Sequence, residues 1–348
     1  MTNQQAGRRL VFTAPGQAAL EPFDLPEPGP HQALVRATRT LVSAGTEVKT
    51  FLGTAPGRRH SPFPAYPGYS FVGVVEQVGE QVAVRPGDRV LLQKGHASHA
   101  LVDLSANRPP GPSGHRGPEY IQVLPDGLTD EQASFGVLGS VAMHGVRKAA
   151  IALDDSAAVM GQGVVGQLVL QLARLAGARP VIAIDLVEER LAAARVSGAD
   201  VTIDATQENV ITACERHTAG RGVDVSFECT STPRTFPALL RVAAVGGRIV
   251  IVGSLPGTVE ISLFDEIQIK ELAIIGAFQP RAPLMPHHTF SWTQRRNRLS
   301  FLELVAAERV QVDHLVTHVA PAAEAPALYG TMAQNPSGWL GVILAWDQ

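Results

Sequence analysis

The chain has 348 residues, of which 45% are hydrophobic and 18% charged, with a formal net charge of −3. That length exceeds one ordinary hydrophobic core and favours two domains, and the apolar content excludes a disordered chain. No basic tract follows a phosphate backbone and no run approaches the roughly 18 apolar residues of a membrane span, so neither nucleic acid nor membrane is an expected partner. Cys214 and Cys229, the only cysteines, build neither a disulfide framework nor a four-thiolate metal site. With no apolar leader in MTNQQAGRRLVF, the expected compartment is the reducing cytoplasm.

In chain order, residues 9–105 break into short β-rich runs punctuated by Pro and Gly: RLVFTAPG, ALVRATRTLVSAG, FVGVVEQVG, and DRVLLQKG followed by HALVDL. That spacing predicts a twisted sheet or partial barrel. The low-complexity stretch at 108–118, RPPGPSGHRGP, reads as an exposed loop. From about residue 155, apolar strands alternate with Ala/Leu-rich helical stretches, the α/β pattern of a parallel sheet with crossover helices. Strands are predicted at 157–160, 180–184, 201–203, 223–228, 248–252 and 273–276, enough for a doubly wound sheet. After residue 285 comes a Trp/Arg-rich helix, FSWTQRRNRLSFLELVAAERV, then short strands ending in GWLGVILAW. The expected division is 1–137 and 286–348 as one domain in two parts, with 138–285 between them.

At the first strand of the parallel sheet, Ser156-Ala-Ala-Val-Met160 leads into Gly161-Gln-Gly163-Val164-Val165-Gly166 and a helix with Val165, Leu168, Val169, Leu172 and Leu175 on one face. A strand, glycine turn and helix in that order suit a dinucleotide. Gly161 permits the tight turn, Gly163 lets a pyrophosphate approach the backbone, and Gly166 lets helix and strand pack closely. Asp185 closes the second strand at about the 20-residue offset of a ribose-binding carboxylate, where it favours NAD and repels a 2′-phosphate. Asp185 as a helix N-cap is the alternative, and Arg190 on the next turn is a possible cation for NADP.

Val42-Ser-Ala-Gly-Thr-Glu47, Pro67-Gly-Tyr-Ser-Phe-Val-Gly73 and Pro86-Gly-Asp-Arg-Val90 resemble, in that order, segments of the zinc-type alcohol dehydrogenases of the medium-chain dehydrogenase/reductase superfamily. The resemblance covers nearly the whole chain and implies a GroES-like β-rich catalytic domain wrapped around a central Rossmann domain. Ser-Ala-Gly-Thr-Glu is most similar to a branch that includes bacteriochlorophyllide dehydrogenases. The departures bear on metal. Where the family has its first zinc-ligand Cys stands Ala44, the His-Glu pair is Tyr69-Ser70, and 137–140 offers neither thiolate nor carboxylate. The four cysteines of the family's structural zinc lobe are absent too, so no zinc is expected at either site.

The resemblance also places candidate residues. Thr46 matches the family's relay hydroxyl, and Lys49, on an exposed turn, falls where the relay reaches water; a strand-end hydroxyl bonded to backbone and a solvated lysine are the alternatives. Tyr69, in a ligand's place, is the leading acid/base candidate, with a nearby cation adjusting its pKa; a packed aromatic is its alternative. Glu47 orients Tyr69, binds a substrate hydroxyl, or bonds to backbone. His96 is placed at the substrate cleft; strand alternation sets it on the face of Ala100, opposite His99. His144, opening the helix after GSVAM, falls near the nicotinamide. Gly253-Ser254 and Ala277-Phe278 match the turns that hold the nicotinamide and its carboxamide. Arg295 and Arg298 suit an anionic or heavily hydroxylated substrate if they face the cleft, and a solvated helix face otherwise.

The expected function is NAD-dependent, zinc-independent interconversion of a secondary alcohol, such as a sugar, cyclitol or other polyol, and its ketone. The alternatives are an NADPH-dependent quinone or enone reductase and a cofactor-binding protein without catalysis. A homodimer or homotetramer is expected from the resemblance.

Overall fold

β1 (Ala6–Ala14) and β2 (Gln17–Asp24) pair antiparallel around a tight turn at which Gly16 takes φ +72°. A computed structural model describes residues 6–55, 62–105, 119–283 and 291–346, and the chain divides into one unit of residues 1–137 with 284–348 and another of 138–283. The loop predicted at 108–118 lies outside the described residues.

In the first unit, β3 (Gln32–Val42) is the organising strand, rich in β-branched residues and buried on both faces. It runs directly into α1 (Ala44–Phe51), so Thr46 and Lys49 lie on a helix rather than at a strand end and an exposed turn. β4 (Phe71–Val78), β5 (Arg89–Leu92), β6 (His99–Asp103) and β7 (Gln122–Val123) follow. β6 begins at His99, so strand alternation does not reach His96. Thr129 and Gln132 form a reciprocal capping box at α2 (Asp130–Ser134), which satisfies two helix-start amides. α3 (Gly136–Ala149) then carries the chain across the division between the units, with His144 inside it rather than at its start.

The second unit is a six-stranded sheet. Its strands are β8 (Ala157–Met160), β9 (Val181–Asp185), β10 (Val201–Asp204), β11 (Val223–Glu228), β12 (Ala243–Ile251) and β13 (Ala273–Gly276). Between them run α4 (Val164–Leu175), α5 (Glu188–Val196), α6 (Val210–His217) and α7 (Phe236–Val242). All neighbours pair parallel in the order β10-β9-β8-β11-β12-β13. β8 and β9 are buried along their entire length, as continuous apolar strands covered by helices on both faces must be. The strand order reverses between β8 and β11, which opens a crevice at their carboxyl ends.

The remaining elements return to the first unit: α8 (Gln294–Ala306), β14 (Val316–Pro321), α9 (Ala325–Gln334) and β15 (Gly341–Ala345). β15 pairs antiparallel with β3, and the sheet runs β14-β15-β3-β4-β5-β7 with β6 also on β3. Phe12 packs edge-on against Phe51 and Tyr329 in the adjoining core, and those two rings meet at a tilt, drawing α1 and α9 together. Among the described residues no helix is long and apolar enough to cross a membrane.

Candidate active site and cofactor cradle

The carboxyl end of the parallel sheet builds a dinucleotide cradle. Gly161 turns the chain at φ +92°, and a Cβ there would meet Thr230 Cγ2 at 2.8 Å. A Cβ on Gly166 would stand 1.8 Å from the Gly161 carbonyl oxygen, so only glycine lets α4 seat on the turn. Gly163 differs: as N-cap of α4 it has nothing within 4 Å of a Cβ position and no side-chain cap. The first-turn amides around Val164 and Val165 are thus presented with the positive end of the helix dipole, an arrangement that suits a phosphate.

Asp185 ends β9, 9% exposed, and its carboxylate organises this edge. Oδ2 accepts from the Gln162 amide at 2.6 Å, while Oδ1 accepts from the amides of Leu186 and Val187 at 2.7 and 3.0 Å. It therefore ties the glycine turn to the start of the α5 approach; the N-cap of α5 is Val187, not Asp185. Of roughly four lone-pair directions on a carboxylate, one remains for a ribose hydroxyl. Arg190 sits half-buried on α5, its carbonyl oxygen accepting from Gln167 Nε2.

At the next strand ends the Gly253 amide donates to the Glu228 carbonyl oxygen, and the Ala277 amide to that of Ile251. Ser254 and Phe278 are exposed at that edge. Glu228, absent from the sequence reading, is buried there; Oε1 accepts from the Thr230 amide and Oε2 from Thr235 Oγ1. Burial pushes its carboxyl up, against the lowering effect of those bonds. No local motif flags Glu228, because its partners come from the following loop and helix. A Cβ on Gly145 would meet Val252 Cγ2 at 2.7 Å, which seats α3 against the end of β12 and brings the neighbouring His144 to the same edge. Burial, with the Lys148 charge, pushes His144 down to about 4, so it is neutral at physiological pH.

In the first unit Tyr69 and Glu47 come together through Ser43. Tyr69 Oη donates to Ser43 Oγ, and the Ser43 amide donates to Glu47 Oε1 at 2.8 Å. Glu47 Oε2 accepts from His96 Nε2 at 2.9 Å and from Tyr329 Oη. His96 Nδ1 meets Thr40 Oγ1 at 2.8 Å, which also accepts from Trp346 Nε1. His96 is 1% exposed with both ring nitrogens engaged, so it belongs to this buried network and presents no free nitrogen to a substrate. Burial works to raise Glu47, but the His96 charge and the bonds from His96, Tyr329 and the Ser43 amide outweigh it and hold the carboxyl below its usual value. Burial and the adjacent Glu47 carboxylate raise Tyr329 well above the ordinary phenol range. Thr40, Ser43, Tyr329 and Trp346 carry no local signature, being assembled from β3, α9 and the chain end.

Thr46 and Lys49 are half-buried on α1, and burial lowers Lys49. On α8, Arg295 is exposed while Arg298 is fully buried, so the two do not share one solvated face. Among the described residues no group of three His, Cys, Asp or Glu could hold a metal ion. The family's ligand positions carry Ala44 at the start of α1, Tyr69-Ser70, and 137–140 inside α3, a donor set that does not fit tetrahedral zinc.

Comparison with known proteins accords with this geometry. The alcohol dehydrogenase GroES-like domain matches residues 29–118 and the zinc-binding dehydrogenase domain residues 164–293. An alcohol dehydrogenase of Cupriavidus necator is 31% identical over 97% of this chain and 98% of its own. Human sorbitol dehydrogenase is 26% identical over 94% and 92%. A solved structure from Sinorhizobium meliloti 1021, described as a zinc-binding dehydrogenase and bound to NADP, superimposes with a TM-score of 0.80 at 26% identity, covering 98% of this chain and 100% of that one. The chain belongs to the zinc-type alcohol dehydrogenase-like group of the medium-chain dehydrogenase/reductase superfamily.

Proposed function

We propose that the protein is a zinc-independent, NAD-dependent oxidoreductase that interconverts a secondary alcohol, of the polyol class, and its ketone. The observation that carries this reading is the Tyr69–Ser43–Glu47 chain of hydrogen bonds in a segment where relatives of the family place a metal ligand. Relatives described as alcohol and sorbitol dehydrogenases support the alcohol and polyol chemistry.

The chemistry a nicotinamide would supply in this cradle is hydride exchange with the carbinol carbon. The first-turn amides of α4 would hold its pyrophosphate, Asp185 would take a ribose hydroxyl, and the turns at Gly253-Ser254 and Ala277-Phe278 would orient the ring and carboxamide. His144, neutral, offers a hydrogen bond at the same edge without adding charge. On the substrate side, alcohol oxidation releases one proton from the hydroxyl. Tyr69 Oη accepts that proton when ionised, and the Ser43 hydroxyl stabilises the phenolate by donating to it; in ketone reduction Tyr69 Oη returns the proton to the oxygen. Ionised Glu47 fixes the Ser43 backbone from behind, and Thr46 and Lys49 on α1 carry the proton toward water.

NAD is favoured because the Asp185 carboxylate would face a 2′-phosphate. NADPH-dependent enone or quinone reduction is the second reading, supported by Arg190 on α5 and by the NADP-bound relative. The open edge of β13, with Ile274 and the nearby Leu263, Phe264 and Ile269 exposed, supports a homo-oligomer formed through that edge. The deciding experiment is a NAD-reduction assay across a polyol panel with chelator-treated protein. Turnover undiminished by chelation is the expected result; reduction of enones by NADPH with no polyol oxidation selects the second reading, and loss of turnover restored by zinc overturns metal independence.

A further inference from the structure

Among the described residues Arg298 is the largest fully buried side chain, and none of them supplies a counter-ion for its charge. It reaches inward from α8, donating from Nη2 to Gln93 Oε1 at 3.1 Å and lying 4.5 Å above the centre of the Tyr120 ring. Nε and Nη1 are buried without an acceptor, and so is the Tyr120 hydroxyl. Glu119, the neighbour of Tyr120, is held by Lys94 at 2.7 Å and by the Asp103 amide at 3.1 Å. The segments 106–118 and 284–290 that adjoin this region in sequence contain neither Asp nor Glu. A guanidinium cannot escape its charge by losing a proton in a protein, and leaving one buried and unmatched costs several kcal/mol. Two positions beyond Tyr120, buried Gln122 keeps an Oε1 acceptor without a donor.

We infer that Arg298, Tyr120 and Gln93 form a recognition site for an oxyanion, and that the substrate is a hydroxylated anion bearing a carboxylate or phosphate. Nη2 has a proton on each edge of the guanidinium fork and gives one of them to Gln93, so the other edge keeps two free donors, its Nη2 proton and that of Nε or Nη1, for two oxygens of one anion, with the Tyr120 hydroxyl as a further donor. Gln122 Oε1 accepts from a hydroxyl of the same molecule. The linkage to the reacting centre is Gln93-Lys94-Gly95-His96, which joins the Arg298 partner to the Glu47 network through three residues, at most about 10 Å of extended chain. A small sugar acid or polyol phosphate carries both the anion and an oxidisable hydroxyl. The assignment of substrate class rests on the proposed alcohol oxidation; the anion site itself does not.

Two measurements test it. In the first, inorganic phosphate and malonate are titrated into cofactor-free protein at constant ionic strength, with chloride as control, and followed by calorimetry and thermal shift. Wild type gains thermal stability with one or both anions, and Arg298→Met loses that gain while its own Tm without anion stays equal or rises, because a buried lone charge has been removed. If Arg298→Met does not fold, Arg298→Lys decides: anion binding about 10-fold or more weaker is expected from loss of the fork, and unchanged binding overturns the proposal. No response of wild type to either anion also overturns it, leaving water as the occupant. In the second, sorbitol, gluconate and sorbitol 6-phosphate are compared with NAD. An anionic member should exceed sorbitol in kcat/KM, with Arg298→Met raising its KM by about 10- to 100-fold, the worth of a charged hydrogen bond. Anion binding without oxidation of any alcohol refutes the proposed function and keeps the site; sorbitol oxidation without anion binding does the reverse.

Discussion

His96 Nε2 lies 2.9 Å from Glu47 Oε2, with both side chains closed off from solvent, and this contact joins residues 49 positions apart. It fastens the start of α1 to the segment before β6. Because Glu47 also takes the Tyr329 hydroxyl and the Ser43 amide, removing it strands three donors at once. Glu47→Ala should lower stability by about 3–5 kcal/mol, the scale for breaking a buried pair, read from the urea midpoint. Folded Glu47 titrates below its usual 4.5, so the native state binds fewer protons than the unfolded one there. Its stabilisation is complete above that value and is lost as pH falls through the lower folded one. An acid-unfolding curve that Glu47→Gln leaves unshifted would refute this.

Tyr69→Phe removes the phenol proton and keeps the ring. Turnover should fall by about 100- to 10,000-fold, the usual contribution of a positioned acid or base. NADH affinity, measured by fluorescence titration, should hold. Equal loss of binding and rate would mean a packing role.

Gly163→Ala and Gly166→Ala separate ligand space from packing. Gly163 is open and has φ −68°, so its alanine variant should fold normally yet bind NADH more weakly, the methyl occupying pyrophosphate space. In Gly166→Ala the methyl meets the Gly161 carbonyl oxygen, and stability should drop by about 1–3 kcal/mol or more. Differential scanning calorimetry with cofactor titration distinguishes the two.

His144, depressed from 6.5 to about 4, must remain neutral while folded, whereas the unfolded side chain protonates near 6.5. Stability should therefore decline as pH falls from 6.5 toward 4, and His144→Gln should flatten that part of the curve. This window lies above the one set by Glu47, so the two variants report separately.

The exposed edge of β13 predicts association. Ile274→Lys should shift the protein toward monomer in sedimentation velocity, because a charge on an edge strand opposes pairing.

Much of the second unit is legible in sequence because its signals are local. A parallel strand buried on both faces is a continuous apolar run, and three of the six, β8, β11 and β13, fall on the predicted residues. β12 starts at Ala243, five residues before the predicted strand, because Gly246 and Gly247 add no apolar side chain to extend the run. The first unit was less legible: β2 has too few apolar residues to announce itself, and α9 falls where strands were expected. For the site, the replacements of zinc ligands were visible residue by residue, whereas the network around Glu47 was not. Alternation placed His96 on a strand because sequence spacing cannot show that β6 starts three residues later.

The sequence by itself determined the glycine turn, the strand and helix flanking it, the carboxylate at 185 and the loss of thiolate and imidazole donors, since each depends on neighbours a few residues away. Only the tertiary structure decided which polar groups face one another: that Glu47 is shared by Ser43, His96 and Tyr329, that Asp185 clasps the Gln162 amide, and that Arg298 is buried with no counter-ion among the described residues. Burial and pairing depend on chain segments that meet across long sequence separations, and it is there that desolvation and charge set what a side chain can do.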